Sequence, residues 1–254
     1  MADRSERVGL CSVTLRALAP ADVLRVAAEA GLRVVEWGGD VHAPPGRVDA
    51  VRGLTAASGL TTCSYGSYWK AGEYPVERFA DVADAAVGLG APRVRVWAGV
   101  EGSADASRAT RDRVVSALRE AAQAAAERGL TIALEFHGGT LADTPRATLD
   151  LLDAVDHPAL GTYWQPSVDE PDEPALAGLA LLRHRVAAVH VFSWWPGTTR
   201  LPLTAREGLW RRALDLLAAD PVDLLLEFVP GDDPAVLGRE AAVLLAWVDG
   251  RAAP

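Results

Sequence analysis

The sequence has few of the features that mark membrane, secreted or nucleic-acid-binding proteins. Lysine is nearly absent, since only Lys70 among the 25 basic residues is a lysine, and the net charge is −9. An acidic surface repels phosphate backbones and no stripe of basic residues is present, which disfavours nucleic-acid binding. No apolar run approaches the ~20 residues that cross a bilayer, and the amino terminus does not resemble a signal peptide. We therefore expect a cytoplasmic protein without membrane contacts, whose partners are small molecules.

Cysteine is also scarce. The two cysteines, Cys11 and Cys63, both lie in apolar runs typical of strands. A cysteine in such a run is most often a buried free thiol. We therefore predict neither a disulfide nor redox chemistry.

The chain alternates short apolar runs with longer, amphipathic runs rich in alanine and leucine. The eight predicted strands are Arg7–Ser12, Arg33–Trp37, Leu60–Tyr65, Arg93–Trp97, Thr131–His137, Leu160–Trp164, Val186–Phe192 and Val222–Phe228. The eight predicted helices are Ala21–Ala30, Gly46–Ser58, Val76–Leu89, Ser107–Arg128, Thr144–Val155, Glu173–Arg183, Ala205–Ala219 and Pro234–Val248. This α/β pattern predicts a single domain, residues 1–254, folded as a (β/α)₈ TIM barrel. A doubly wound sheet is the alternative, but no glycine-rich turn follows the first strand.

The fifth predicted strand ends in the segment Leu134-Glu135-Phe136-His137-Gly138-Gly139. Strand alternation places Glu135 and His137 on one face and the bulky apolar side chains on the other. A carboxylate on the inner face of a barrel is costly to bury unless it meets a cation or a hydrogen-bond donor. Glu135 therefore requires a partner.

The next three strands supply candidate partners for Glu135, namely Gln165, His190 and Glu227. Active sites of TIM barrels lie at the carboxyl ends of the strands, so these side chains are expected to converge. Two carboxylates, an imidazole and an amide oxygen suit Mn²⁺, Mg²⁺, Co²⁺ or Zn²⁺. We predict a metal site of these four residues. In the alternative interpretation, Glu135 pairs with Arg95 and His190 is a satisfied core histidine.

Six of the eight tryptophans fall near strand ends. They are Trp37, Trp69, Trp97, Trp164, Trp194 and Trp195. Such rings could wall a pocket for a sugar or polyol, or they could plug the top of the barrel core. The substrate-binding candidates are Trp37, Trp69, Trp97, Trp164, Trp194, His137 and Arg200.

Three further charged or titratable residues lie near the predicted strand ends. Arg95 has the inner parity of the fourth strand, and we expect an internal ion pair between Arg95 and Glu36. His42 lies in a loop with two prolines, where we expect it to be exposed. Lys70 follows Trp69 and is expected near the pocket.

These motifs resemble those of the sugar phosphate isomerase/epimerase superfamily, the xylose-isomerase-like TIM barrels of the AP endonuclease 2 family. The resemblance rests on Glu135, Gln165, His190 and Glu227, on Glu36-Trp37, and on the His-Gly-Gly turn after Glu135. It implies a divalent metal held by Glu, Asp, His and Glu from the fifth to eighth strands. Gln165 stands in the Asp place, and Val168 stands where a further His often occurs. Because the amide removes one negative charge, it should weaken binding of a hard cation.

The resemblance implies a metal-dependent isomerase or epimerase acting on a sugar or polyol. Glu135 and Glu227 would move the proton next to the carbonyl through an enediolate. Two alternatives are a lyase acting on an inosose-like or glycoside substrate, and a catalytically silent sugar-binding barrel, which Gln165 favours. An endonuclease is the weakest alternative, because the acidic net charge disfavours DNA and five histidines are few for a site that binds three zinc ions. No glycine-rich nest marks a phosphate pocket, so we expect an unphosphorylated carbohydrate. A homodimer or homotetramer is left open.

Overall fold

Eight parallel strands close into a barrel in the computed structural model, which describes residues 4–253. Including a separate pair of short strands, the described residues contain β1 (Val8–Cys11), β2 (Val34–Gly38), β3 (Thr61–Lys70), β4 (Arg93–Trp97), β5 (Thr131–Leu134), β6 (Leu160–Trp164), β7 (Val186–Val191), β8 (Ser193–Trp194), β9 (Arg200–Leu201) and β10 (Asp223–Leu226). The barrel order is β1-β10-β7-β6-β5-β4-β3-β2, while β8 and β9 form a separate antiparallel pair. The predicted TIM barrel is confirmed.

Helices surround the barrel between successive strands. They are α1 (Pro20–Glu29), α2 (Val48–Ser58), α3 (Val76–Leu89), α4 (Arg108–Ala126), α5 (Pro145–Val155), α6 (Asp172–Leu182), α7 (Glu207–Leu216) and α8 (Pro234–Val248). Polar side chains begin several of them: Ser107 accepts the Thr110 N–H and Thr144 accepts the Ala147 N–H. These bonds satisfy amide groups that the first turn of a helix leaves unpaired. The predicted helices therefore match the observed ones, with differences confined to their ends.

Four barrel strands, β1, β5, β7 and β10, end earlier than predicted at their carboxyl ends, and in β5 and β10 the difference affects candidate site residues. β5 ends at Leu134 and β10 at Leu226, so Glu135 and Glu227 each lie one residue beyond a regular strand. Their backbones stay attached to the barrel, since the Glu135 N–H donates to the Val96 carbonyl at 2.8 Å and the Glu227 N–H donates to the Val191 carbonyl at 3.1 Å. Hydrogen bonds to neighbouring strands therefore fix the backbone of both glutamates at the carboxyl edge of the barrel.

The barrel interior is layered. A lower buried layer is apolar apart from two side chains, and it consists of Val34, Cys63, Ala133, Tyr163, Ala188 and Leu225. Beneath it Arg93 donates to the Asp223 carboxylate at 2.5 Å, and both side chains are buried. The layer above carries the polar residues of the candidate site. The mostly apolar layer therefore separates the polar residues of the candidate site from the Arg93–Asp223 pair, and the candidate site lies at the carboxyl end of the barrel.

Within residues 4–253, no helix is both long and apolar enough to cross a membrane. Both cysteines are buried and free, as predicted. The predicted domain, residues 1–254, includes residues 1–3 and 254, which lie outside the described residues.

Candidate active site and metal centre

A cavity of about 460 Å³ opens at the carboxyl ends of the strands. Its floor contains Arg95, Glu135, Gln165 and Glu227. Its walls include six aromatic side chains, those of Tyr68, Trp97, Phe136, Phe192, Trp194 and Phe228. A concave site with an aromatic wall and a few converging polar groups suits one small ring-shaped ligand.

His190 lies behind the cavity floor, where it contacts three of the floor residues, and its ring is fully buried. Three oxygens surround its Nδ1: Gln165 Oε1 at 2.9 Å, Glu227 Oε2 at 3.3 Å and Glu135 Oε1 at 3.5 Å. The structure thus brings together all four predicted metal ligands. A neutral imidazole can donate only one hydrogen at this nitrogen, so three acceptors exceed what it can satisfy.

The spacing of these donor atoms fits a divalent cation. When bonds from the metal to N or O are about 2.1 Å long, neighbouring ligands lie about 3.0 Å apart in an octahedron and about 3.4 Å apart in a tetrahedron. The distances from His190 Nδ1 to the three oxygens are 2.9, 3.3 and 3.5 Å, within the range expected of ligands that share one metal ion. Each of the oxygens of Glu135, Gln165 and Glu227 therefore lies at a ligand-to-ligand distance from the His190 nitrogen.

Arg95 supplies positive charge to the same floor. Its side chain is buried, its Nε lies 3.1 Å from Glu36 Oε1, and its Nη1 donates to Glu135 Oε2. The expected internal pair with Glu36 is present, and Arg95 also makes the pair with Glu135 that we considered as the structural alternative. Burial alone would raise the pKa of Glu135, but Arg95 and His190 outweigh it and lower the pKa to about 2.

The two carboxylates differ in their surroundings. Within the described part of the chain, Glu227 has no arginine or lysine in an ion pair, and its partner is His190. Burial raises the pKa of Glu227, His190 partly offsets that effect, and the charge of Glu135 adds to it. Burial opposes charge on His190 too, but Glu227 and Glu135 raise the pKa of its imidazole well above the ordinary value. On the cavity floor, the Glu135 carboxylate therefore forms an ion pair with a guanidinium, whereas the Glu227 carboxylate does not.

Glu36 organises a second group of polar side chains below this floor. Its Oε1 accepts the Cys11 thiol at 3.3 Å, and its Oε2 accepts the Tyr163 hydroxyl. Tyr163 also contacts Ser64 Oγ at 2.7 Å. Burial would raise the pKa of Glu36, but Arg95 outweighs it and holds the pKa well below the usual range. Sequence reasoning missed Tyr163, although it shares the inner parity of Gln165 two residues later.

The aromatic wall differs from the expected one. Trp97 and Trp194 line the cavity, whereas the indoles of Trp37, Trp69 and Trp164 do not. Those three rings pack among the helices: Trp37 Nε1 donates to Thr55 in α2, Trp69 stacks edge-on against Phe79 in α3, and Trp164 stacks against Trp210 in α7. Trp37 and Trp164 each neighbour an inward residue, so alternation turns them outward.

Three phenylalanines that were not predicted to line the cavity do so. Phe136, Phe192 and Phe228 all line the cavity. Phe228 has the outward parity of β10, but its φ of +50° turns the chain as it leaves the strand. Alternation applies only inside a regular strand, so it could not predict this ring.

His137 and Arg200 occupy the upper part of the site. His137 is exposed, lines the cavity and lies 4.9 Å from Trp97 between ring centroids. The Arg200 guanidinium lies 4.7 Å from the centroid of Phe228 and pairs with Asp232. His137 therefore lies at the rim, and Arg200, which is absent from the cavity lining, lies over the lining rings Trp194 and Phe228. Lys70 lies 5.8 Å from the ring centroid of Trp97, the ring that His137 also contacts.

His42 is buried, which contradicts the expectation of an exposed loop residue. Its Nδ1 lies 2.9 Å from Ser12 Oγ, and its Nε2 lies 3.2 Å from the Leu18 carbonyl oxygen. The loop folds back because the His42 N–H bonds to the Gly38 carbonyl at 3.1 Å. Burial lowers the pKa of His42. This residue therefore packs beside the site and is absent from the cavity lining.

Comparison with known proteins identifies the family. The family model of the xylose isomerase-like TIM barrel matches residues 24–200. The chain belongs to this family. The match spans more than half of the chain, and the barrel order agrees with it.

One curated relative carries a named activity. The 3-dehydroshikimate dehydratase of Bacillus anthracis is 36% identical over 106 residues, which is 39% of this chain and 38% of that protein. The matched segment thus spans about two fifths of the length of this relative. A match of this extent does not establish that the two proteins share an activity.

Solved structures share the fold at low identity. The probable 3-DHS dehydratase AsbF from Bacillus anthracis has a TM-score of 0.80 at 21% identity, covering 94% of this chain and 98% of that chain. D-psicose 3-epimerase from Clostridium cellulolyticum H10 has a TM-score of 0.71 at 15% identity, covering 96% and 98%. A magnesium complex of a xylose isomerase-like TIM barrel protein from Mycobacterium smegmatis has a TM-score of 0.69 at 18% identity, covering 93% and 91%. At these identities the solved structures show that the fold is shared.

Proposed function

We propose that this protein is a divalent-metal-dependent lyase that removes water from a small cyclic hydroxy-ketone of the carbohydrate class. The observation that carries the proposal is the unequal pair of carboxylates on the cavity floor. Arg95 holds Glu135, while Glu227 has only the His190 imidazole as its charged partner among the described residues. Elimination needs one group to carry a proton from carbon to the leaving hydroxyl, and Glu227 has the freedom to do so.

The chain's own residues supply each part of that reaction. Glu227 takes the proton from the carbon next to the carbonyl, the C–H electrons form a carbon–carbon double bond, and the C–O bond to the neighbouring hydroxyl breaks. Glu227 then returns the proton to that hydroxyl, which leaves as water. Arg95 keeps Glu135 ionised, and the aromatic wall excludes bulk water. A divalent cation bound by Glu135, Gln165, His190 and Glu227 would polarise the substrate carbonyl.

Two further features support a ring-shaped substrate. The cavity of about 460 Å³ holds one small ring, and Trp97 and Trp194 offer flat apolar faces. At the rim, His137 and Arg200 could contact hydroxyl or carboxylate groups of that ring. Because the relative with a named lyase activity is a 3-dehydroshikimate dehydratase, 3-dehydroshikimate is the first substrate to test.

A metal-dependent isomerase or epimerase is the second candidate. It is favoured by the position of both carboxylates within 3.5 Å of one imidazole nitrogen, an arrangement that could place a base on either side of a substrate carbon. An epimerase needs two groups that exchange roles as acid and base. The pairing of Glu135 with Arg95 opposes that exchange and ranks the lyase first.

The test follows the fate of the proton and of the hydroxyl. Protein loaded with Mn²⁺, Mg²⁺, Co²⁺ or Zn²⁺ is incubated with 3-dehydroshikimate, whose dehydration gives a dihydroxybenzoate that absorbs in the ultraviolet. We expect turnover in the wild type, none in Glu227→Gln, and full turnover in Glu173→Gln, an exposed control.

A panel of ketoses in D₂O separates the candidates. Deuterium at the carbon next to the carbonyl without loss of water would indicate the isomerase or epimerase and contradict the lyase. No turnover, no exchange and no metal-induced thermal shift would leave the silent sugar-binding barrel as the interpretation and reject both enzymes.

A further inference from the structure

Arg16 and Tyr68 line the cavity on the side of the first three strands. Arg16 lies in the loop after β1, and Tyr68 lies near the carboxyl end of β3. The Arg16 side chain is 50% exposed and Tyr68 is 38% exposed, whereas Glu135 on the floor is 3% exposed. Both residues are therefore at the solvent side of the cavity, where a ligand can reach them.

Among the described residues, two arginines line the cavity, and they differ in the acceptors that they already contact. Arg95 lies between two buried carboxylates, those of Glu36 and Glu135. Arg16 has one carboxylate partner in the described part of the chain, Asp40, to which it donates through Nη2. Because a guanidinium carries five N–H donors, Arg16 keeps donors for a ligand.

The Tyr68 hydroxyl adds a neutral donor beside Arg16. Burial raises the pKa of Tyr68, and Asp40 adds to that effect, while Arg95 and Arg16 oppose it without reversing it. The hydroxyl therefore keeps its proton and can donate one hydrogen bond. Since guanidinium groups act on it from both the floor and the solvent side, the positive charge around this hydroxyl favours an anionic acceptor.

Other parts of the cavity are less suited to an anionic group. In the proposed function, the ketone and the leaving hydroxyl occupy the floor beside Glu135 and Glu227. Arg200 is absent from the cavity lining, and its guanidinium lies over two of the lining rings. An anionic group on the part of the ring that faces away from the floor would therefore meet Arg16 and Tyr68.

We propose that Arg16 and Tyr68 form a carboxylate-binding subsite, which selects ring-shaped substrates that carry a carboxylate over neutral sugars. A guanidinium can donate to both oxygens of a carboxylate, and such charge-assisted hydrogen bonds are among the strongest in proteins. The inference rests on the proposed function for the orientation of the ring, with the reacting carbon at the floor and the carboxylate toward the mouth.

The experiment compares the binding of shikimate and of its methyl ester to the full chain by calorimetry, in one buffer that contains Mn²⁺. Shikimate carries a ring carboxylate and hydroxyl groups but no ketone, so the proposed dehydration cannot consume it. We expect the wild type to bind shikimate about tenfold or more tightly than the ester. Because the contact is between charges, this preference should shrink as the ionic strength rises.

Two variants divide the effect between the two side chains. Arg16→Gln should weaken shikimate binding about tenfold or more and leave ester binding unchanged, since only the acid carries the charge. Tyr68→Phe should weaken shikimate binding by a smaller factor, about threefold, because it removes one neutral donor.

Arg185→Gln is the matched control. Arg185 also pairs with one aspartate, Asp153, at 3.1 Å, but it directly precedes β7 and so lies at the amino end of the barrel. Its replacement removes the same charge from the protein without touching the cavity. The variant should keep the wild-type preference for shikimate over the ester.

Three results would overturn the proposal: equal affinity of the wild type for acid and ester, no binding of shikimate, or equal weakening of both ligands in Arg16→Gln. The first two need only the wild type, so they decide even if a variant does not fold. Failure of the lyase is distinguishable. Absent turnover of 3-dehydroshikimate with the binding preference intact rejects the lyase alone, whereas equal kcat/KM for 3-dehydroshikimate and its methyl ester rejects the subsite alone.

Discussion

Arg95 is the single residue on which the charge balance of the interior most depends. It contacts two buried carboxylates, Glu36 and Glu135, and is itself buried. Removing one partner of a buried ion pair leaves an uncompensated charge, whereas removing an exposed one costs little. Loss of Arg95 should therefore cost far more stability than loss of an arginine whose ion pair is exposed.

Arg95→Met should destabilise the protein by about 3–5 kcal/mol, because Glu36 and Glu135 would both lose their cation in a buried setting. Urea unfolding followed by circular dichroism measures the free energy of unfolding. Arg212→Met is the control: this arginine pairs with Glu173 at the surface, and its loss should leave the free energy of unfolding close to that of the wild type. Equal losses in the two variants would contradict the role given to Arg95.

His42 should make the protein less stable in acid. Burial lowers its folded-state pKa below that of the unfolded chain, so protons bind the unfolded state more readily. Its contribution is complete above the unfolded-state pKa, about 6.5, and is lost as the pH falls through the lower folded-state pKa. Compared with the wild type, His42→Gln should show a smaller fall in unfolding free energy below about pH 6.5.

The matched control for this pH effect is His184→Gln. His184 is exposed at the end of the segment before β7. Its replacement controls for the loss of an exposed imidazole. A His42→Gln profile parallel to that of the wild type would exclude His42 as the titrating group.

At the scale of the element, closure of the barrel depends on how near β1 comes to β2. A Cβ built on Gly9 would lie 2.0 Å from the Val34 carbonyl oxygen. That atom belongs to the backbone of a paired strand and cannot move away like the end of a flexible side chain. Only glycine allows the two strands this spacing.

We predict that Gly9→Ala abolishes folding or destabilises the protein by about 3 kcal/mol or more, since overpacking against backbone is poorly relieved. Gly53→Ala in α2 is the counterpart: nothing lies within 4 Å of its added Cβ, and alanine should stabilise the helix by about 0.5–1 kcal/mol. Expression, circular dichroism and urea unfolding of the pair check the prediction. A well-folded Gly9→Ala protein of unchanged stability would contradict it.

The elements also show how far sequence reasoning reaches. Strand alternation correctly predicted that Glu135, His190 and Glu227 share the barrel interior, because alternation is a property of local backbone geometry. The same alternation directs the side chains of Trp37 and Trp164 outward, toward the helices. The prediction that both would line the cavity did not take this into account and is wrong. The position of Phe228 in the cavity wall could not be predicted from alternation, because it depends on a positive φ. The burial of His42 could not be predicted either, because it depends on a loop that folds back onto residues distant in the sequence.

At the scale of the whole molecule, a bound cation would join four neighbouring strands of the barrel. The proposed ligands follow or belong to β5, β6, β7 and β10. A ligand present at about 100 times its Kd stabilises the folded state by about 2.7 kcal/mol. Mn²⁺ at that excess should raise the free energy of unfolding by this amount.

Loss of one carboxylate ligand should largely remove that gain. Glu227→Gln, titrated at the same Mn²⁺ concentration, should show a much smaller rise in the unfolding midpoint than the wild type, while Glu173→Gln should keep the full rise. The measurement is thermal unfolding with and without the ion. An identical rise in Glu227→Gln would remove Glu227 from the set of ligands.

The layered interior also bears on the kinetics. Below the polar floor, the apolar layer and the buried pair of Arg93 and Asp223 close the barrel at its amino end. In the proposed reaction, substrate, product and released water would all pass through one mouth, beneath the rim residues His137 and Arg200. Product must therefore depart before the next substrate enters, so product should inhibit competitively, and substitutions at the rim should change its release before they change the chemistry.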